Sequence, residues 1–245
     1  MSPVDLIEIT TPDGAAEAYV TGSGPGVLLY IDAIGLRPQI ARMADRIAAW
    51  GYTVLAPNTL YRSGSAAETS PGPDEDLRQP GGREAFFQHT GPRIAELTPE
   101  RLREDIPVYL AALREHAPGD VAVVGYCMGA RLAVRAAGLD PQVVAVAGFH
   151  GGGLVTDDPA SPHLALADAR AEFVFGHADQ DRSMTPEAVA ALGEALADAG
   201  LTATNEIYPE SPHGYSMDDT SMYHRPGAER SFDELHGLLD RRLGA

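Results

Sequence analysis

Short apolar segments alternate with longer helical patterns through most of this chain, and this alternation restricts the possible fold more than any other feature. The apolar segments span residues 26–31, 53–56, 121–124, 143–147, 172–175 and 204–208. Continuous apolar strands separated by helices are typical of a parallel sheet with helices on both faces. Before them, residues 6–9 and 17–20 flank a turn-prone segment, Thr11-Pro12-Asp13-Gly14, which predicts an N-terminal β-hairpin.

Amphipathic spacing predicts helices over residues 38–50, from Thr185 to Gly200, and from Phe232 to Leu243. A further helix over residues 99–116 contains Pro107, which removes a backbone donor and predicts a kink or a late start. The length of 245 residues, 44% of them hydrophobic, suits one domain with a substantial core. We therefore expect a single α/β domain over residues 1–245.

Residues 62–98 differ from the rest because Gly, Pro, Ser and charged residues dominate there. We interpret this segment as a long insertion with one short helix near residues 84–89. Long loops in compact domains are often functional lids, and a surface loop is the alternative.

The charge of the chain excludes some partners. All 18 basic residues are Arg, against 35 acidic ones, and the formal net charge is −17. Nucleic-acid binding needs clustered positive charge, so we expect none. The single cysteine cannot form an internal disulfide, and neither a signal peptide nor an apolar segment of about 20 residues is present. We expect a cytoplasmic protein without membrane partners, either a monomer or a small homo-oligomer.

The strongest functional motif is Gly125-Tyr126-Cys127-Met128-Gly129, which follows an apolar strand and precedes a helical segment. Strand, sharp turn and helix form the setting of a nucleophile elbow, whose flanking glycines permit close backbone approach. The helix N-terminus favours the thiolate of Cys127 over the thiol. A buried core cysteine is the alternative, but glycines on both sides favour the nucleophile.

A thiolate nucleophile needs a histidine base, and in this fold the order along the chain is nucleophile, acid, histidine. His213 follows the final predicted strand and is the preferred base, while His150 is its rival and is expected to line the pocket. For the acid, Asp179 follows the strand at residues 172–175, and we favour it over Asp181. The oxyanion hole is expected at the backbone N–H groups of Met128 and Ala33.

With these motifs in place, the chain resembles the dienelactone hydrolase family, small α/β-hydrolases with a Cys-His-Asp triad. The resemblance spans nearly the whole chain, at residues 32–36, 57–62, 125–129, 176–179 and 213–215. It implies that Cys127 cleaves a small-molecule ester or lactone through an acyl-thioester, and it implies no metal or organic cofactor. It also implies that Asp32 gates the cysteine, although the family carries Glu there. Met217 stands where the family carries a substrate-binding Arg.

The candidates for substrate binding are Tyr61, Arg62, Arg83, Tyr126 and His150. Core packing is the alternative for the two tyrosines, and a solvated surface position is the alternative for the two arginines. Arg37 is a further arginine able to bind an acidic group. Two other functions remain open. An acyltransferase or peptidase on the same scaffold would differ in what attacks the acyl-enzyme, and a non-catalytic ligand-binding relative would keep the fold alone.

Overall fold

The computed structural model describes residues 5–244, apart from the side chain of His89, and it has an α/β fold built on one eight-stranded sheet. Along the chain, the strands are β1 Asp5–Thr11, β2 Gly14–Gly22, β3 Gly26–Tyr30, β4 Thr53–Pro57, β5 Val121–Tyr126, β6 Val143–Phe149, β7 Glu172–Ala178 and β8 Ala203–Tyr208. Their order across the sheet is β1-β2-β4-β3-β5-β6-β7-β8. The predicted fold class is therefore confirmed.

Strand directions place the loops that matter for function at one edge. β1 and β2 form the predicted antiparallel hairpin, and β2 pairs antiparallel with β4. From β4 to β8 every pair across the sheet is parallel. The carboxyl ends of these six strands therefore lie along one edge, where open α/β sheets bind their ligands.

Helices cover both faces of the sheet. They are α1 Pro38–Ala48, α2 Ala66–Thr69, α3 Gly82–Ile94, α4 Pro99–His116, α5 Met128–Leu139, α6 Pro186–Asp198 and α7 Arg225–Arg242. One buried cluster joins the sheet to α4, α5 and α6, and a second joins its other face to α1 and α7. In β3, β4, β5 and β6 the side chains alternate between the two clusters, so these strands are buried along nearly their whole length.

Two helices differ from the sequence prediction. α4 begins at Pro99 and continues past Pro107, because the Thr98 side chain caps its start by accepting from the Arg101 N–H and because Pro107 lies on the exposed side. The predicted late start is wrong. α7 begins at Arg225, seven residues before the first predicted position.

The segment 62–98 is more ordered than a surface loop. It contains α2, whose start is fixed by a capping box between Ser65 and Glu68, and the long helix α3. Leu77 and Phe86 from this segment pack against Ile34, which follows β3. The segment is thereby attached to the carboxyl edge of the sheet.

Candidate active site

The cysteine lies in a sharp turn between β5 and α5. Its backbone has φ 54° and ψ −116°, which L-residues rarely adopt. A Cβ on Gly125 would lie 2.2 Å from the carbonyl oxygen of Gly129, and one on Gly129 would lie 2.5 Å from that of Tyr30. The glycines therefore allow strand, turn and helix to approach closely, which leaves Cys127 at the carboxyl edge.

A histidine and an aspartate lie in line with the sulfur. His213 Nε2 lies 3.1 Å from Cys127 Sγ, and His213 Nδ1 lies 2.6 Å from Asp181 Oδ2. The other carboxylate oxygen of Asp181 accepts hydrogen bonds from the N–H and hydroxyl of Ser183 at 2.8 and 2.7 Å. Both oxygens of Asp181 are thus held, and the carboxylate orients the imidazole toward the sulfur.

The preference for Asp179 as the partner of His213 is corrected by these contacts. The Asp179 carboxylate accepts a hydrogen bond from the Glu210 N–H at 3.0 Å, and the Asp179 N–H donates to Ser211 O at 2.7 Å. After it, Gln180 takes φ 54° and reverses the chain. This turn directs the next carboxylate, that of Asp181, to the histidine.

The charges of Cys127, His213 and Asp181 stabilise one another. Burial raises the pKa of the Cys127 thiol, but the charge and hydrogen bond of His213 outweigh it, so the pKa lies below its ordinary value of 9.0. Burial lowers the pKa of His213, but the thiolate and the Asp181 carboxylate outweigh it and raise the pKa to about 10. Both shifts favour a thiolate–imidazolium pair over a neutral thiol and imidazole.

The loop after β3 contains Ala33, whose N–H is the second predicted oxyanion donor. Within residues 5–244 the Ala33 N–H has no hydrogen-bond acceptor. Arg93 Nη2 donates to the carbonyl oxygens of Ala33 and Ile34 at 2.8 and 3.2 Å, which fixes the orientation of these peptide groups. The Met128 N–H, at the start of α5, donates to the Cys127 sulfur and contributes to its lowered pKa.

Asp32 is held by an arginine and does not pair with the cysteine in this structure. Its two carboxylate oxygens accept from Arg37 Nη1 at 2.6 Å and Nη2 at 3.1 Å, and one of them also accepts from the Ile34 N–H. Arg37 in turn donates to Asp219 from Nε at 2.6 Å. Asp32 and Arg37 are 3% exposed, so this ion pair braces the loop from within.

A small cavity surrounds the sulfur, with a volume of about 10 Å³, which is room for about one water molecule. It is lined by Asp32, Ala33, Ile34, Arg83, Phe87, Cys127, His150, His213, Gly214, Met217 and Thr220. A larger cleft of about 730 Å³ lies around Ser23, Gly24 and His116, at the amino ends of the strands and away from Cys127. Of these two cavities the small one is the candidate site, because it is the one lined by Cys127 and His213.

Two of the predicted substrate-binding residues line another part of the molecule. Arg62 Nη1 donates to Asp105 Oδ2 at 2.5 Å and its Nε donates to Asp13, while the Tyr61 hydroxyl donates to Asp105 at 3.0 Å. Asp105 is 1% exposed and needs a positive partner. Arg62 therefore neutralises a buried carboxylate to which Tyr61 donates a hydrogen bond, and neither residue lines the cavity around Cys127.

Tyr126 is fully buried in the core, where its ring packs against Phe149 and His150, and it does not line the cavity. His150 does line it. Its Nε2 lies 2.7 Å from Ser216 Oγ, and within the described residues its buried Nδ1 has no partner. Burial and the charge of His213 hold the pKa of His150 well below its ordinary value, so His150 is neutral.

Sequence reasoning named Arg83 as a substrate-binding candidate but missed Phe87, the second residue of α3 that lines the cavity. Arg83 and Phe87 are four residues apart and share one helix face, with the guanidinium 4.9 Å from the ring centroid. This spacing was the available signal, but Gly91 and Pro92 obscure the helical pattern. Within residues 5–244 no cluster of three or more His, Cys, Asp or Glu is placed to hold a metal ion. No described helix is both long and apolar enough to span a membrane.

Several known proteins are similar to this chain in sequence. Residues 14–243 match the profile of the dienelactone hydrolase family. A carboxymethylenebutenolidase of Rhodococcus opacus is 27% identical over 209 residues, which cover 83% of this chain and 75% of that protein. A Salmonella typhi protein provisionally named carboxymethylenebutenolidase is 23% identical over 260 residues, covering 96% of this chain and 91% of the other.

A similar solved structure is that of a provisionally named dienelactone hydrolase from Klebsiella pneumoniae. It superposes with a TM-score of 0.78 at 20% identity, covering 97% of this chain and 99% of that one. At this identity the likeness concerns the fold, and it extends over nearly the whole length of both chains.

Proposed function

The chain belongs to the dienelactone hydrolase family, and from this premise we propose that it hydrolyses an ester or lactone through nucleophilic attack by Cys127. Membership of this family supports the activity of a lactone or ester hydrolase, and the identity of the nucleophile is our own inference. It is carried by one observation, the 3.1 Å contact between Cys127 Sγ and His213 Nε2 beside the Asp181 carboxylate. This arrangement has the geometry of an activated thiolate nucleophile.

In the first half of the proposed reaction, the Cys127 thiolate attacks the carbonyl carbon of the substrate. The carbonyl oxygen becomes an oxyanion, which the N–H groups of Met128 and Ala33 are placed to stabilise. As the tetrahedral intermediate collapses, its carbon–oxygen bond breaks and the His213 imidazolium protonates the departing alkoxide. The product of this half is an acyl-thioester on Cys127 and a neutral His213.

In the second half, His213 removes a proton from a water molecule, and the hydroxide attacks the thioester carbon. The carbon–sulfur bond breaks, so the carboxylic acid leaves and the thiolate–imidazolium pair is restored. Asp181 stays ionised throughout and stabilises the imidazolium. Burial raises the pKa of Asp181, but its hydrogen bonds to His213 and Ser183 outweigh burial and lower the pKa to about 2.

Two residues of the cavity wall are proposed to contact the substrate. Arg83 is half-buried and, within residues 5–244, lacks a carboxylate partner, so it is available to a polar or anionic group near the scissile bond. Neutral His150 offers its unpaired Nδ1 as a hydrogen-bonding atom.

A cover over the site is also proposed. A cavity of about 10 Å³ cannot admit an ester, and Arg83 and Phe87 of α3 form one of its walls. We therefore assign residues 62–98 the role of a lid that moves to admit substrate. The acyltransferase and ligand-binding alternatives keep the same scaffold, but a thiolate–imidazolium pair supports catalysis over binding alone.

The test is a panel of p-nitrophenyl esters and simple lactones, run with and without prior treatment with iodoacetamide. We expect turnover that alkylation abolishes in proportion to the Cys127 modified. Turnover that survives complete alkylation would exclude the thiol as nucleophile. Tight binding of these compounds without any turnover would favour the ligand-binding alternative, and an enhanced rate with added alcohols or amines would favour acyl transfer.

A further inference from the structure

The loop after β3 that contains the proposed oxyanion donor is held in shape by side chains. It comprises residues 33–36, and we call it the oxyanion loop. Within the described residues, none of its four carbonyl oxygens accepts a hydrogen bond from a backbone N–H, and each accepts one from a side chain. The pairs are Arg93 Nη2 with Ala33 O at 2.8 Å and Ile34 O at 3.2 Å, Arg37 Nη1 with Gly35 O at 3.1 Å, and Ser70 Oγ with Leu36 O at 2.8 Å. The shape of the loop therefore depends on the segments that supply these donors.

Three of these four carbonyls accept from residues 62–98, the segment proposed as a lid. The same segment also packs against the loop, since Leu77 and Phe86 contact Ile34. Gly35 has φ 110°, and a Cβ there would lie 2.4 Å from the carbonyl oxygen of Thr69. The backbones of the loop and the segment are therefore in direct contact, so displacement of the segment breaks the hydrogen bonds between them.

Arg93 occupies an unfavourable position for a charge. It is 9% exposed, within residues 5–244 it forms no ion pair with a carboxylate, and its buried Nε has no hydrogen-bond partner there. Burial lowers the pKa of Arg93 despite the nearby charges of Asp32 and Glu75. A buried charge without a carboxylate partner destabilises a fold. The contacts that offset this cost are the two carbonyls of the oxyanion loop and the Phe86 ring, whose centroid lies 5.1 Å from the guanidinium carbon.

The peptide group between Ala33 and Ile34 is fixed at both of its polar atoms. Its carbonyl oxygen accepts from Arg93, and its N–H, that of Ile34, donates to Asp32 Oδ1 at 3.1 Å. Asp32 is held in turn by Arg37. The preceding N–H, that of Ala33, has no acceptor in the described chain. An oxyanion hole requires such a free donor on a fixed backbone, because its donors must be oriented before the charge develops.

We propose that Arg93 and Ser70 are positioning residues that shape the oxyanion loop only while residues 62–98 are closed over the site. Opening of the segment to admit an ester or lactone breaks their contacts with the loop, and closure restores them, so the oxyanion hole is complete only around a bound substrate. The reaction is thereby confined to the closed state, from which water is largely excluded. The proposal rests on the proposed function and its lid, and it adds that lid closure and oxyanion stabilisation are one event.

The test compares two reagents that react with the same sulfur in different ways. Trifluoroacetone inhibits by addition, in which Cys127 Sγ bonds to the carbonyl carbon and the carbonyl electron pair moves to the oxygen, which becomes an oxyanion. Iodoacetamide alkylates Cys127 by displacing iodide, and no oxyanion forms. A residue that acts through the oxyanion loop should affect the first reaction alone, whereas a general disturbance of the site should affect both.

In Arg93→Gln we expect the inhibition constant of trifluoroacetone to rise at least about tenfold and kcat for p-nitrophenyl acetate to fall by a similar factor. KM and the alkylation rate should stay within about twofold of the wild type. Arg93→Lys, which keeps a charged donor, should recover part of the loss, and Ser70→Ala should show a smaller loss of about threefold. The matched control is Arg78→Gln, because Arg78 is an exposed arginine of the same segment that donates to Asp218 O and not to the loop. It should stay within about twofold in every assay.

Hydrogen exchange tests the coupling between lid and loop. When trifluoroacetone binds to the wild type, the peptides that contain residues 33–36 and 62–98 should gain protection together. Protection of one region without the other would overturn the coupling.

Equal inhibition of the wild type and Arg93→Gln would overturn the proposal, and so would parallel losses of inhibition and alkylation. If Arg93→Gln does not fold, Arg93→Lys and Ser70→Ala provide the same comparison. If turnover requires Cys127 but the Arg93 variants match the wild type, only this proposal fails. If turnover survives complete alkylation of Cys127, the proposed function fails and the role of Arg93 fails with it.

Discussion

Replacing Asp181 by Asn tests which carboxylate serves the histidine. In the wild type the Asp181 pKa falls from its ordinary 3.8 to about 2, mainly through His213 and Ser183, which outweigh burial. At about 1.4 kcal/mol per factor of ten in proton affinity, this amounts to roughly 2 kcal/mol of stabilisation shared among those contacts. The side chain is 5% exposed, so solvent screens little of it.

The share of this stabilisation that supports the His213 imidazolium is at most roughly 2 kcal/mol, so its loss alone lowers the rate by up to about 30-fold. Asn can also donate to Nδ1 and so favour the wrong tautomer, which adds to the loss. We therefore expect kcat/KM of Asp181→Asn for p-nitrophenyl acetate to drop by at least about 30-fold.

The matched control is Asp179→Asn, two residues away, whose carboxylate contacts the Glu210 N–H. Its kcat/KM should stay within about threefold of the wild type, because a single half-exposed hydrogen bond is affected. Melting curves for both variants separate catalytic loss from unfolding. A larger loss in Asp179→Asn than in Asp181→Asn, with both folded, would refute the assignment of Asp181.

Three further predictions concern the same site. The pH profile of kcat/KM should be bell-shaped. Activity is lost as pH falls through the Cys127 pKa, which lies below 9.0, because the thiolate is protonated. Activity is also lost as pH rises through the His213 pKa of about 10, because the leaving alkoxide then has no proton donor. Asp32→Asn should shift the pH midpoint of Cys127 alkylation downward, because the Asp32 charge raises the thiol pKa, and unchanged profiles would leave Asp32 as a loop brace only. Arg37→Met should lower the free energy of unfolding in urea by about 3–5 kcal/mol, because it leaves Asp32 unpaired. The double variant Asp32→Asn/Arg37→Met should recover part of this loss, and a loss under about 1 kcal/mol in Arg37→Met would contradict the role of the ion pair.

The sheet and the elbow could be predicted from the sequence because their determinants are local. Strands buried on both faces appear in the sequence as continuous apolar segments. The positions of β3 to β7 were therefore predicted with small errors at their ends. The glycines around Cys127 mark a turn in which backbones approach too closely for a Cβ. His213 was placed by chain order alone, since a loop after the last strand returns to the carboxyl edge.

The partner of His213 and the partner of Arg62 could not be predicted from the sequence, because no local pattern identifies them. The choice between Asp179 and Asp181 depends on the positive φ of Gln180, which reverses the chain after β7. Arg62 was assigned to substrate because its buried partner, Asp105, lies 43 residues away on α4. The first feature is a backbone conformation that the sequence around Gln180 does not predict, and the second is a contact with a residue far along the chain.

The central claim is that Cys127 carries the acyl group during turnover. The direct measurement is rapid acid quenching during hydrolysis of p-nitrophenyl acetate, followed by mass spectrometry of the peptides. The account predicts an acetyl group on the peptide that contains Cys127, released by neutral hydroxylamine as a thioester is. Turnover without any acyl group on that peptide, together with undiminished hydrolysis by Cys127→Ala, would contradict it.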